Sequence, residues 1–419
     1  MHLFQKIKQF MHDRSGNVLI LSALSITTLV GMAGLAADTI QWTVWKRQLQ
    51  READSAALAG TIANYQGGSA STAANAEITR HGLITLHDTP LIEVGPSTGP
   101  YAGDTTAVRV ALNSRRALPF SSFILQTPPT IRAEATAAAV SFGTYCVLAL
   151  ESTSSTGVTM QGSATVDLGC GMATNSQGST AVSAGGGSTI NASPISAVGG
   201  IPASTSYVSG TVLQPNSMPQ ADPFSGLPTP SLPSCSAQLS VAPNATRNIS
   251  NPGGVSCYRG MDLKGTVNFA SGIYYIDGGV MSFGAQADVT GTNVVFILTS
   301  ATASSDPTSV ATLSMTGGAT VNLTAPTTGT YAGVLFYQDR RASTAYWNYL
   351  TGNSSSLIQG AIYFPRQLVQ YTGNTGINTN CMQLVAKNVT FTGNSAISNV
   401  CPPGSGGSGI SGRQIRLVN

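Results

Sequence analysis

Residues 389–397 read VTFTGNSAI, and the same pattern stands at 369–377 (VQYTGNTGI), 313–321 (LSMTGGATV) and 158–166 (VTMQGSATV). In each copy Val or Leu, then Met, Tyr or Phe two positions on, precedes a glycine, and Val or Ile closes the unit. Residues two apart share one face of a strand, so Val158 and Met160 point the same way, and Gly162 permits a sharp bend before the next short strand. The last two copies begin 20 residues apart. That length suits one coil of a parallel β-solenoid, whose stacked coils bury a continuous core. The wider spacing of the other copies is expected from insertions, and a β-sandwich is the alternative, because short strands with Gly-rich turns suit it as well.

Around this repeat the chain has the composition of an extracytoplasmic, β-rich protein. Only 9% of its 419 residues are charged and 46 are glycine, against an average charged fraction of about 25%. With 20 basic and 17 acidic residues and no dense basic run beyond the N-terminus, a nucleic-acid partner is not expected. Four segments are expected. Residues 1–66 hold a cytoplasmic stub, a membrane helix and its extension, and 67–143 form a small α+β module. Residues 144–401 form the β-rich repeat domain, with a Pro-rich insertion at 201–252, and 402–419 form a flexible tail rich in Gly and Ser. Within the module, a short helix over Ser71–Gly82 and strands over 107–112 and 130–140 are predicted.

The membrane helix is the second strong signal. Val18–Ala37 (VLILSALSITTLVGMAGLAA) supplies 20 positions without a charge, the length that crosses about 30 Å of hydrocarbon. Lys6, Lys8 and Arg14 precede it and favour a cytoplasmic N-terminus, while Trp42 and Trp45 follow where indole rings favour the headgroup layer. The run exceeds the h-region of a cleaved signal peptide, and no proline occurs before Pro90, so the helix continues beyond the span. Trp45, Leu49, Ala53, Ala56 and Gly60 recur at helical spacing on its extension. Gly31 and Gly34 narrow the span and suit close packing against another helix.

The stretch DRSGNVLILSAL from Asp13, GLAAD at 34–38, WKRQLQ from Trp45 and ADSAALAG at 53–60 together resemble the N-terminal segment of TadE/TadG-like proteins of the Flp (tight adherence) pilus-assembly systems. The resemblance is confined mainly to the first ~60 residues. It implies a single-pass protein of the bacterial inner membrane with its bulk in the periplasm. Its implied partners are the membrane and the proteins of pilus assembly, secretion and surface attachment. Pilin-like precursors are cut after a glycine and carry Glu at the fifth mature position; counted from Gly16, that position is Leu21 here, so the anchor is expected to be retained. The D-x-S-x-S metal motif of the longer TadG proteins does not occur either.

Six cysteines, Cys146, Cys170, Cys235, Cys257, Cys381 and Cys401, form an even set of candidate disulfides in an oxidising compartment, with the pairing open. There is no CxxC, and no histidine follows Cys146. No metal, cofactor or catalytic residue is therefore expected, and the chain is read as not an enzyme. Eight acids are scattered from residue 141 onward. A polysaccharide-active enzyme would need two of them in one cleft. Arg340, Arg341, Tyr346, Trp347 and Tyr349 are the candidate partner contacts, because exposed aromatics with arginine are favoured at interfaces. They also underlie a second functional reading, a membrane-tethered carbohydrate-binding or adhesive solenoid with glycan surfaces as partners.

Overall fold

The computed structural model describes residues 15–82, 84–352, 356–374, 381–397 and 410–418. The expected stub, Cys401 and the first part of the expected tail lie outside them. The chain divides into two units, Met1–Val140 with Ile415–Asn419, and Ser141–Gln414.

The first unit is organised by α1 (Ser15–Tyr65), 51 residues without a break, or about 75 Å of helix at 1.5 Å per residue. Its early part leaves Ile20, Leu21, Leu24, Ile26, Leu29 and Val30 exposed. Its later part buries Trp45, Leu49, Ala53, Ala56 and Ala57. Against that stripe pack Ala70, Ala74 and Ile78 of α2 (Ala70–His81), a helix capped at its start by the Ser69 side chain. The other wall of this core is an antiparallel sheet of β1 (Leu91–Val94), β2 (Val108–Arg115) and β3 (Thr130–Ala149). Val108, Val110 and Leu112 alternate with Ile131, Ala133, Ala135 and Ala137 across it, as one buried face of a sheet requires. Many of these residues are alanines, so helix and sheet approach closely; at Gly60 an added Cβ would stand 3.1 Å from Val108. Trp45 thus lies inside this core, on the stripe that the helical spacing marks out, with the Arg116 guanidinium over its ring.

The second unit is a parallel β-solenoid. Three ladders of short strands run along it. On the first, Leu239–Val241 pairs with Met261–Leu263, then Val280–Phe283, Thr312–Met315 and Trp347–Gly352. The ladder goes on through Leu368, Val389, Val158 and Val182. The order is not that of the sequence. Val389 pairs with Val158 and Leu384 with Val147, so the strands that open the unit stack directly on those that close it. From Val147 the third ladder proceeds to Met172, Ile195 and Leu213. The chain then returns to the opposite end and builds toward Leu384 from the other side.

The four sequence repeats occupy one ladder in register. Val369 pairs with Val389 and Val389 with Val158, while Leu313 reaches Val369 through Asn348. Gly162 and Gly393 both take φ of 65° at the bend, a region open to glycine. The spacing is irregular for two reasons. One coil spans 20 residues between Thr372 and Thr392 but 35 between Leu313 and Asn348, and the Val158 copy follows the Val389 copy in space although it precedes it in sequence. Inside, Tyr274, Phe296 and Phe336 stack at 5.5 Å centroid spacing, while on the outer face Asn268 links Asn248 to Thr290 through side-chain hydrogen bonds of 2.8 and 2.7 Å.

The segment read as an insertion at 201–252 belongs to the stack at its end, since Leu239–Val241 and Thr246–Ile249 pair with the next coil. Between Gln220 and Ser236 it is a strap that crosses the coils one after another. Gln220 meets Asn175, Asp222 meets Tyr363, Pro228 meets Tyr337, and Ser236 bridges to Tyr258. Phe224 and Leu227 pack onto Tyr331, Tyr337 and Tyr363, covering apolar side chains that point out of the third ladder. The expected flexible tail is also corrected in part, because Ile410–Val418 is a strand.

Candidate functional site

Two features of the first unit converge on the end of the apolar run in α1. Gly34 lies under the Phe120 ring so closely that an added Cβ would stand 2.1 Å from it, whereas among the described residues a Cβ added at Gly31 would meet nothing within 4 Å beyond its own helix backbone. One turn on, Asp38 is 4% exposed, and its Oδ2 accepts the backbone N–H groups of Phe120 at 3.1 Å and Ser121 at 2.5 Å. A carboxyl side chain at the start of the short 3-10 turn Ser121–Phe123 satisfies donors that would otherwise be orphaned. The GLAAD segment therefore acts as a receptor for loop 117–126, with Gly34 supplying the space and Asp38 the acceptors. The sequence reading offered Gly34 to a second helix. Within this unit its neighbour is Phe120, and Gly31 is the position left open.

Residues 16–75 match the family model described as putative Flp pilus-assembly TadE/G-like. The matched stretch takes in almost all of α1, including the 20 uncharged positions, and about half of α2. No curated protein and no solved structure matches the chain. Membrane attachment accords with the helix itself, which is near the N-terminus and long and apolar enough to cross a bilayer.

In the same unit a cavity of about 570 Å3 is lined by Gln50, Asp54, Tyr101, Arg109 and Glu134. Arg109 is held between Glu93 at 3.3 Å and Glu134 at 2.9 Å, and the bond from Arg109 keeps the Glu134 carboxyl below its ordinary range.

The candidate contact residues of the solenoid separate into two groups. Arg340 is committed to the strap: its Nε donates to the Tyr363 hydroxyl at 2.9 Å and its terminal nitrogens to the carbonyls of Leu227 and Phe224. It also lies over the Tyr337 and Tyr363 rings. Arg341 reaches Pro230 and Ser304 and pairs with the buried Asp339. Burial opposes charge on Asp339, but bonds from Arg341 and Thr299 outweigh it and hold the carboxyl below the usual range. Tyr346, Trp347 and Tyr349 remain 45%, 50% and 43% exposed. Trp347 and Tyr349 lie side by side, centroids 6.5 Å apart, on a face continued by Ser314 and Gln370.

Cys146 is bonded to Cys170 and Cys235 to Cys257, each joining neighbouring parts of the stack, and Cys381 is also disulfide-bonded. Acids of the solenoid are engaged in hydrogen bonds: Asp222 accepts from Tyr363, Asp277 from the Ala301 N–H and Asp339 from Arg341, and Glu151, Asp167, Asp262 and Asp306 accept from Thr153, Asn191, Lys264 and Thr308. Among the described residues no group of three His, Cys, Asp or Glu side chains converges as a metal site would need. The docked loop and the strap were both missed in the sequence. The signal for the first was the uncharged PFSSFIL between Arg116 and Arg132; the strap carried only its prolines.

Proposed function

We propose that the chain is a structural component of a Flp-type pilus-assembly or associated secretion and attachment machinery. α1 is retained in the bacterial inner membrane and the solenoid faces the periplasm. The observation that carries this reading is the coincidence of the matched residues, 16–75, with an apolar helix whose early part is exposed and whose later part organises a folded module. Paired cysteines fit an oxidising compartment. The role is structural and not catalytic, in keeping with acids that are occupied in local bonds.

The open face of α1 at Gly31 is the position from which a neighbouring membrane helix would be reached. A photo-crosslinker placed at Gly31 in cells should capture a polypeptide of the pilus machinery, while one at Gly34 should react within the chain at Phe120. Efficient activation at Gly31 with only lipid adducts would count against a helix partner.

A second reading is favoured by Trp347. It is half exposed beside Tyr349 on a face of hydroxyl and amide side chains, an arrangement suited to stacking a sugar ring or another flat surface. Trp347→Ala should then weaken surface attachment while the melting temperature stays within a degree or two; unchanged attachment would remove this reading.

A further inference from the structure

We propose that loop 119–125 is a second membrane element, an apolar wedge that enters the leaflet next to the module beside α1. The proposal rests on the reading that Val18–Ala37 spans a bilayer.

Depth is set by contacts already described. Phe120 packs on Gly34, three residues inside the end of the span, about 4.5 Å along the helix axis. The backbone of Phe120 and Ser121 is tied to Asp38, one residue beyond it. A loop held at this height has the hydrocarbon boundary for its surroundings.

Its side chains match those surroundings. Phe123 is 93% exposed, Ile124 68%, Leu125 42% and Phe120 41%, so the loop turns its largest apolar groups away from its own module. Scattered exposed apolar residues are ordinary, but four within six positions form a patch that marks an interaction surface. No charge occurs between Arg116 and Arg132, so the whole segment is free of the groups most costly to place in hydrocarbon.

The backbone donors of the loop are also satisfied. Lipid-exposed irregular chain is excluded from hydrocarbon because its polar groups lack partners. Here every N–H from 120 to 125 has one. Phe120 and Ser121 donate to Asp38, Ser122 to Leu118, Phe123 to Phe120, and Ile124 and Leu125 to Ser121. Pro119 has no N–H to satisfy, and the Ser122 hydroxyl returns to the Pro119 carbonyl. A second protein is a poorer occupant than lipid, because the patch begins at Phe120, which packs directly on Gly34 of the span itself.

The test uses the full chain in vesicles of phosphatidylcholine and phosphatidylglycerol with brominated acyl chains, which quench indole fluorescence only within the hydrocarbon. Phe123→Trp and Ile124→Trp are compared with Val30→Trp in the span and Val255→Trp on the solenoid, after subtraction of native emission. Both loop variants should be quenched two-fold or more, as Val30→Trp is, with Val255→Trp unaffected. Loop emission quenched no more than that of Val255→Trp, while Val30→Trp is quenched, would overturn the wedge and leave the span intact. Absence of quenching at Val30→Trp would defeat the span and the wedge together.

Discussion

At Asp38 a single carboxylate oxygen holds two backbone donors from a loop 82 residues away in the sequence. Removing it leaves those donors without their acceptor, so Asp38→Ala should cost the docked loop about 1–3 kcal/mol, read as faster hydrogen exchange at Phe120 and Ser121. Gly34→Ala should speed exchange in the same loop, because its Cβ displaces the Phe120 ring, whereas Gly31→Ala should leave it unchanged. Equal responses at the two glycines would refute the packing role given to Gly34. On the solenoid, Asp339 has a carboxyl held below its ordinary range. A depressed folded value means that its contribution is present above the unfolded value near ~3.9 and is lost as pH falls through the lower, folded one. Protease sensitivity of the strap should therefore stay flat from neutral pH to about pH 4 and rise below it. Asp339→Asn should weaken the hold at all pH values and reduce that rise.

Elements show which signals in the sequence carried across space. Val158, Leu313, Val369 and Val389 were legible as one ladder because a solenoid repeats the same chemistry at the same position of each coil, and the uncharged run of α1 was legible from length alone. The permuted order was not, since nothing in VTMQGSATV states that its neighbour is a coil more than 200 residues later. Asn348 hid another coil: it stands, fully buried, where the repeat has an aliphatic residue, and donates its amide to Gln367 while accepting from the Leu313 N–H. The strap was illegible because Arg340 and Arg341, which bind it, look in sequence like free interface arginines. Two consequences can be measured. A fragment beginning at Thr156 would lack the strand around Val147 that lies between Leu384 and Met172. It should lose its cooperative urea transition, and an unchanged midpoint would contradict the permuted stack. Replacing Cys235 and Cys257 together by Ser frees a loop of 22 residues and should lower stability by about 3 kcal/mol, with the strap cleaved first by protease.

On the scale of the molecule, a long helix that matches a pilus-assembly family model over residues 16–75 is joined to a β-solenoid, and no solved structure matches the chain. On the proposed reading the apolar length of α1 would hold the chain in the membrane, and Tyr346, Trp347 and Tyr349 stand exposed on the solenoid. If this is right, retention in the membrane is as necessary as the domain itself. The decisive measurement is a count of Flp pili and of surface attachment in cells lacking the gene. These cells are then supplied with either the full chain or a version in which residues 1–37 are replaced by a cleavable secretory signal. The account predicts that pili disappear on deletion, return with the full chain and stay absent with the released domain. Normal pili in the deletion strain, or full rescue by the released domain, would contradict it.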